Sequence, residues 1–333
     1  MTNENNFDVK KLKLDPRFKV PAVHTKDMTD EKWLSMRQFS IGGSDAGTII
    51  GLNKYESPYS LYFKKLGLIP KEDLSDRIPI IVGNYNEQLV ADLFEKNTGK
   101  KVRKHNYMMY HPEHTFMSAN VDRVLIGENA ILECKTASEF VKDQWKNGEV
   151  PGSYMAQCYH YMAVTGAERV YIAVLIGNSD FKFVTIDRDE EIIQGLIESE
   201  KEYWEEHIVK RVEPKTDGSN ATREALSQRW QSTNDHVKSL NEHVGDLLYQ
   251  RDQLKAQEKE IKQDLQEIEN EIKDVMADSE VGIVGNYKVT WKQSQRNTFD
   301  TKTFKNDYPD LAIKYTKTTS SRPFTVKENK KGK

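Results

Sequence analysis

From Leu226 onward one position in seven is held almost without exception by an apolar side chain: Leu226, Thr233, Leu240, Leu247, Leu254, Ile261, Ile268 and Val275. Val237, Val244, Leu265 and Ile272 fill the companion positions, and Arg251 and Glu258 interrupt them. A strand repeats every second residue, so a seven-residue repeat kept this long demands helix, and it predicts a coiled coil or a long helical hairpin over residues 221–278. Only one Gly and no Pro fall between Ala221 and Ala277, so nothing there breaks a helix by backbone chemistry. Two outcomes are open. The helix is either an arm that self-associates, contacts a ligand or docks a partner, or a long helix folded back on the rest of the chain. The almost uniformly charged or polar remaining positions favour the exposed arm.

That repeat divides the chain. Its 333 residues exceed the usual single domain, and 37% hydrophobic with 30% charged residues fits a globular core joined to something solvated and extended. Residues 207–222 carry Pro214, Gly218, Ser219 and Asn220 and read as a linker. The expected organisation is a core domain over 1–210, the helical arm over 221–278 and a small region over 279–333. In the last, Gly282 to Trp291 predicts a hairpin with Asn286 near its turn. The aromatics that follow, from Phe304 to Tyr315, lead to Arg322–Val326, which predicts a small α+β cap ending in a strand. The basic segment Lys327–Lys333 and the stretch Asp8–Lys19 each suit weak attraction to nucleic acid or plain solubilisation.

Within the first domain, the apolar run Phe116–Ile126 is followed by Gly127-Glu128-Asn129 and a second apolar run, Ala130–Cys134. Turn residues between two such runs predict a hairpin. Side chains alternate across a strand, so Glu133 and Lys135 share one face while Leu132 and Cys134 share the other. A carboxylate and an ammonium on a buried strand are costly unless paired with each other or with a metal. Asp122 on the partner strand can join Glu133 in an oxygen-rich pocket for Mg²⁺, with Lys135 beside the metal-bound water. The alternative is an ordinary surface hairpin with a Glu and a Lys two apart.

Several further segments frame this pair in order. Arg37-Gln38-Phe39-Ser40-Ile41-Gly42-Gly43-Ser44-Asp45-Ala46 leads into Gly51–Pro58; then comes Gly83-Asn84-Tyr85-Asn86-Glu87, opening a helical pattern through Leu89, Val90, Leu93 and Phe94. Downstream lie Val150–Met162, Thr165-Gly166 and a strand-like Val170–Ile176. Taken together over residues 33–206, these segments resemble the YqaJ-type viral recombinase family, relatives of the lambda-type exonuclease within the PD-(D/E)xK nuclease superfamily. The resemblance implies an α/β (mixed α+β) restriction-endonuclease-like core with a central mixed sheet flanked by helices.

It also implies roles. Glu87 matches the acid of the first core helix, Asp122 the strand acid, and Glu133 and Lys135 the acid-x-lysine. Gln157 matches the glutamine that orients the lysine or the scissile phosphate. Arg37 and Ser44 match the residues that bind the terminal phosphate of a DNA end in lambda-type relatives, and Tyr154, on one helical face with Gln157, is a further candidate substrate contact. Asp122, Glu133 and Glu87 would be the metal ligands. The chain departs from the motif in having Val121 before the strand acid and Arg123 after it. Each residue also has a plainer reading. Glu87 could be a solvated helix carboxylate; Tyr154, Gln157 and Tyr161 could be a helix face packed on a sheet; Gly42-Gly43-Ser44 could be a helix start, with or without a phosphate.

The implied function is a Mg²⁺-dependent double-strand DNA exonuclease, with Mn²⁺ able to substitute. It would resect ends 5′ to 3′ for phage-type recombination alongside a single-strand annealing protein of the RecT or Red-beta kind. A homotrimer is implied by the same analogy, as is a phage- or prophage-encoded protein of the bacterial cytoplasm. A structure-selective or restriction-like endonuclease and a non-catalytic DNA-end-binding scaffold are the alternatives.

Composition bears on other classes. The net charge of −3 places any DNA-binding charge in a groove rather than over a whole surface. Cys134 and Cys158 are the only cysteines, too few for an iron–sulfur cluster or a disulfide framework. There is no His-Glu-x-x-His, and His111-Pro112-Glu113-His114 reads as a turn. With no run of about 18 apolar residues and a polar beginning, the expectation is a soluble, intracellular protein with no membrane partner.

Overall fold

The alternation read at Glu133 organises the central sheet. In a computed structural model that describes residues 9–69, 76–232, 234, 236–318 and 321–327, the three central strands of one five-stranded mixed sheet are largely buried and its two edge strands are partly exposed. The strands of the molecule are β1 (Ala22–His24), β2 (Val102–Lys104), β3 (Tyr107–Tyr110), β4 (Ser118–Ala119), β5 (Arg123–Leu125), β6 (Ala130–Ala137), β7 (Arg169–Ile176), β8 (Asp180–Asp187), β9 (Val281–Val284) and β10 (Tyr287–Thr290). Its helices are α1 (Asp30–Gln38), α2 (Gly43–Ile49), α3 (Pro58–Lys65), α4 (Ile78–Thr98), α5 (Gly152–Thr165), α6 (Glu190–Tyr203), α7 (Asn220–Arg229), α8 (Glu242–Met276), α9 (Thr301–Asp307) and α10 (Pro309–Tyr315).

The main sheet has the order β2-β5-β6-β7-β8; the β6–β7 pair is parallel and the rest antiparallel. A parallel pair needs a crossover, and α5 supplies it. Along β7 the residues alternate cleanly. Val170, Ile172, Val174 and Ile176 join Ile131 in a core that also holds Cys158, Met162 and Val164 of α5 and Ile193 of α6. Tyr171 and Ala173 join Leu132 in a second core with Val90, Ala91 and Phe94 of α4. The result is three layers, helix on sheet on helix, as the sequence resemblance implies. A smaller sheet, β1-β3-β4, lies in the same unit.

The chain divides into two compact units between Gln231 and Ser232. The first differs from the expected 1–210 domain by including α7. Ser219 caps this helix by accepting from the Thr222 N–H at 3.1 Å, and Ala225 and Leu226 pack with Tyr59, Tyr62 and Phe63 of α3. Arg229 fastens its end: its guanidinium lies 4.6 Å from the Phe63 ring centroid and donates to Glu213 Oε1 at 2.6 Å. Leu226 thus serves a core contact rather than a coiled-coil seam. The heptad repeat predicts a coiled coil or a long helical hairpin over 221–278; the helix stops at Arg229 and resumes at Glu242, where the Asn241 side chain accepts from the Val244 N–H. Thr233 lies outside the described residues.

In the second unit, β9 and β10 form the expected antiparallel hairpin, with Gly285-Asn286 at its turn. Phe299, Phe304 and Tyr308 cluster around α9. The strand expected over Arg322–Val326 does not form, and Pro323 lacks the N–H that a ladder there would use. Of the tail Lys327–Lys333, all but Lys327 lies outside the described residues, as does Asp8. Among the described residues no helix is long and apolar enough to cross a membrane.

Candidate active site

The hairpin at the site forms in register Arg123↔Leu132 and Val124↔Ile131. Its first strand is shorter than the apolar run suggested. The run Phe116–Ile126 is split between two sheets, β4 pairing with β3 and β5 with β6, and Asp122 stands at the start of β5 rather than within it. The cause is local. Asp122 Oδ2 accepts from the Cys134 N–H at 2.8 Å, so a side-chain carboxylate takes the place of a backbone partner at that rung.

One β6 face behaves as alternation requires. Cys134 packs towards α4, while Glu133 and Lys135 meet α5. Lys135 Nζ donates to Glu133 Oε1 at 2.6 Å and to Gln157 Oε1 at 3.0 Å. Gln157 Nε2 in turn donates to Glu133 Oε1 at 2.8 Å and to the Tyr161 hydroxyl at 2.7 Å. Lys135 Nζ lies 4.7 Å from the Tyr154 ring centroid. The α5 face of Tyr154, Gln157 and Tyr161 is therefore packed on the sheet through polar contacts to the acid and the lysine.

Electrostatics mark this cluster as unfinished. Burial, and then the neighbouring Glu133, push the Asp122 carboxyl well above the usual carboxylate range, although Lys135 pulls the other way. Burial acts to lower Lys135, yet Glu133 and Asp122 outweigh it and hold the ammonium protonated above its ordinary value. Burial, together with Glu133 and Asp122, raises the Tyr161 phenol in the same sense. Glu133 Oε2 is buried without a hydrogen-bond partner. An orphaned carboxylate oxygen beside a second carboxyl starved of positive charge suits a hard divalent cation, and Asp122 and Glu133 are the residues that could hold it.

Glu87 is engaged by an arginine. Its carboxylate receives Arg123 Nη1, whose guanidinium also donates to the Asp122 carbonyl at 2.8 Å and to Gln88 Oε1 at 3.1 Å. Lys104 Nζ lies 3.9 Å away. Among the described residues no three His, Cys, Asp or Glu side chains assemble as a metal cage. Arg123 is 3% exposed, and sequence reasoning passed over it except as a departure from the motif. An arginine inside Val121–Leu125 was the available signal, since a buried guanidinium needs a carboxylate.

Arg37 and Ser44 come together at the edge of the cluster, Arg37 Nη2 donating to Ser44 Oγ at 3.2 Å, with the guanidinium 4.6 Å from the Trp33 ring centroid. Two features fix them. Gly43 lies against α5 so closely that a Cβ there would come 2.5 Å from Tyr161 and 3.0 Å from Gln157, which seats Ser44 next to the Gln157 network. Lys65, buried on α3, donates to the Arg37 carbonyl at 3.0 Å and the Ser40 carbonyl at 2.5 Å and pairs with Asp45 at 2.6 Å. Asp45 also accepts from the Gly42 N–H at 2.9 Å. Lys65 therefore outweighs burial and keeps the Asp45 carboxyl below its ordinary value. Neither Asp45 nor Lys65 was singled out from sequence, because the partners are twenty residues apart and meet only when α3 packs beside α2. His111, by contrast, does what its turn reading implies: Nδ1 accepts from the N–H groups of Glu113 and His114, and burial lowers the imidazole to about 4.

Known proteins are similar to this chain. The description "YqaJ-like viral recombinase domain" matches residues 32–168. An uncharacterized protein, YqaJ, of Bacillus subtilis (strain 168) is 39% identical over 305 residues, covering 91% of this chain and 95% of that protein. Among solved structures, an alkaline exonuclease (LHK-Exo) from Laribacter hongkongensis is similar at 17% identity over 54% of this chain and 93% of its own, with a TM-score of 0.47. A putative exonuclease from Eubacterium rectale is similar at 15% identity over 66% of this chain and 98% of its own, with a TM-score of 0.43. Alignment at 39% identity through nearly the whole length of both proteins, with the Asp122 and Glu133–Lys135 segments inside the matched domain, means that the chain belongs to the YqaJ-like viral recombinase family.

Proposed function

We propose that the protein is a divalent-metal-dependent deoxyribonuclease that resects duplex DNA ends, 5′ to 3′, in phage-type recombination. The observation that carries this reading is the buried pair Asp122 and Glu133, with Glu133 Oε2 unpartnered and Lys135 and Gln157 fastened to the opposite oxygen. A bound Mg²⁺, or Mn²⁺ in its place, would supply Lewis-acid activation of water and phosphate. Lys135 Nζ, held on Glu133 Oε1 and Gln157 Oε1, is placed to stabilise charge on the attacking oxygen. Gln157 orients Lys135 and Glu133 at once, and Tyr154 shields the ammonium from water. Arg123 restrains Glu87, which contributes to the field at Asp122 without joining the pair.

Arg37 and Ser44 provide a cation and a hydroxyl for the terminal phosphate of the cleaved strand. The product strand would pass to a single-strand annealing protein, and a homotrimer around the duplex is the assembly that suits processive digestion. Bacterial cytoplasm during phage or prophage replication is the corresponding setting.

The experiment is digestion of end-labelled linear duplex carrying 5′-phosphate or 5′-hydroxyl, beside covalently closed circles, with Mg²⁺ and with chelator. Expected are digestion of linear DNA only and faster release from the phosphorylated end. Arg37→Ala removes that preference, about 10- to 100-fold from the loss of a charge-assisted contact, while hydroxyl ends are cut at the original rate. Cutting of closed circles identifies an endonuclease instead, and binding without any metal-dependent release identifies a scaffold.

A further inference from the structure

The second unit carries a surface that the nuclease site does not use. Helix α8 runs for 35 residues, and its seam positions Leu247 (48%), Leu254 (65%), Ile261 (65%), Leu265 (54%), Ile268 (55%), Ile272 (41%) and Val275 (86%) are exposed. At 1.5 Å per residue the helix is about 52 Å long, and a stripe about 100° wide along it covers about 500 Å². An antiparallel overlap centred between Arg251 and Glu258 engages residues 242–267 of each copy, about 39 Å, so two such stripes bring together about 750 Å², the size of a weak, concentration-dependent contact. A strict repeat of seven, rather than the drifting 3.6 of a helix lying on a globular core, is the pattern of helices that wind around one another.

Charge identifies the occupant. Between Glu242 and Met276 there are ten acidic and five basic side chains, which disfavours a phosphate backbone or an anionic membrane as the partner. On the seam itself the interruptions are one cation and one anion, Arg251 and Glu258, a single heptad apart. A parallel pair of identical helices would set Arg251 against Arg251 and Glu258 against Glu258. An antiparallel pair with its two-fold axis midway between them sets each arginine beside the glutamate of the other copy, twice. Polar residues at such positions characteristically fix register and orientation. Within one copy Glu258 is bridged on its outer sides by Lys255 and Lys262, at 2.5 and 2.6 Å, which hold its carboxyl at about 2 and keep it ionised for that contact.

We infer that α8 is a self-association element that pairs antiparallel with α8 of a second copy of this chain, Arg251 of each copy meeting Glu258 of the other. The inference does not depend on the nuclease reading, since none of its residues belongs to the first unit. It doubles whatever assembly the first unit makes.

The test is the mass of the full chain by sedimentation and light scattering across concentration. Leu254→Glu with Ile261→Glu halves the mass, while the far-ultraviolet signal of the first unit and the digestion of linear DNA provide an independent folding check. Arg251→Glu weakens association by at least about tenfold, because like charges then face each other, and adding Glu258→Arg restores it. A parallel pair would be indifferent to both changes, since like charges face each other before and after. Wild-type mass unchanged by Leu254→Glu with Ile261→Glu overturns the inference, as does failure of the double charge swap to restore what Arg251→Glu removes. Capture of a different protein by the stripe without self-association overturns it too.

Discussion

Lys135→Ala lowers metal-dependent nucleotide release from linear duplex by about 10²–10⁴-fold, the range for removing one preorganised charge from a phosphoryl-transfer site. Among the described residues Lys135 and Gln157 are the donors to Glu133 Oε1, and burial leaves water little access to replace the lysine. Glu133→Gln falls by a similar or larger factor, because it also removes the anionic oxygen left unpartnered. Single-turnover rates at saturating Mg²⁺ check both, with circular dichroism to verify folding. Gln157→Ala serves as a graded control: it loosens the orientation of Lys135 without removing charge, so its rate lies between wild type and Lys135→Ala. Undiminished single-turnover cleavage by Lys135→Ala would remove the site assignment altogether.

Glu200→Ala costs about 3–5 kcal/mol of folding stability, the range for stripping one member from a buried ion pair. Glu200 and His160 are each 0% exposed; Nδ1 of His160 lies 2.8 Å from Glu200 Oε1 and Nε2 donates to the Ser118 carbonyl at 2.9 Å. The contact ties α6, α5 and β4 together behind Gln157, so the loss also loosens the helix that carries the site. Burial works to lower the His160 imidazole, but Glu200 and the Ser118 carbonyl outweigh it and raise it above its ordinary value of 6.5. Burial likewise raises Glu200 against the pull of His160, so one proton is held in the bridge.

The sign follows. A group raised on folding stabilises fully below its unfolded value, so this contribution is complete below 6.5 and is lost as pH rises through the folded value. The urea midpoint of the wild type therefore declines as pH rises from 6.5 through the folded value. The decline disappears in His160→Leu with Glu200→Leu, which fills the space with apolar atoms. A flat wild-type profile over that window would mean that the bridge carries no extra proton.

Periodicity made much of this architecture legible. Alternation at Leu132, Glu133, Cys134 and Lys135 needs only the geometry of a strand, so the charged face and the apolar face could be assigned before any partner was known. The α5 face of Tyr154, Gln157 and Tyr161 followed from helical spacing in the same way, and the turn at Gly285-Asn286 from its residue types. Boundaries were less legible, because they depend on competition between local pattern and distant contacts. Leu226 keeps the heptad but is claimed by Tyr59 and Phe63, and Phe116–Ile126 is one apolar run whose ends belong to different sheets.

The candidate site divides along the same line. Sequence alone put Glu133 and Lys135 on one face of a strand by alternation, pointed to Glu87, Asp122 and Gln157 through resemblance to the YqaJ-type family, and predicted a helical heptad segment after the core. Only the tertiary structure decided that Arg123 pairs with Glu87, that Lys65 and Asp45 hold Arg37 and Ser44 in place, and that the heptad helix begins at Glu242. The reason is physical: periodicity is a property of one element, whereas the partner of a buried charge is chosen by whichever element packs against it, and the low dielectric of the interior makes that choice binding.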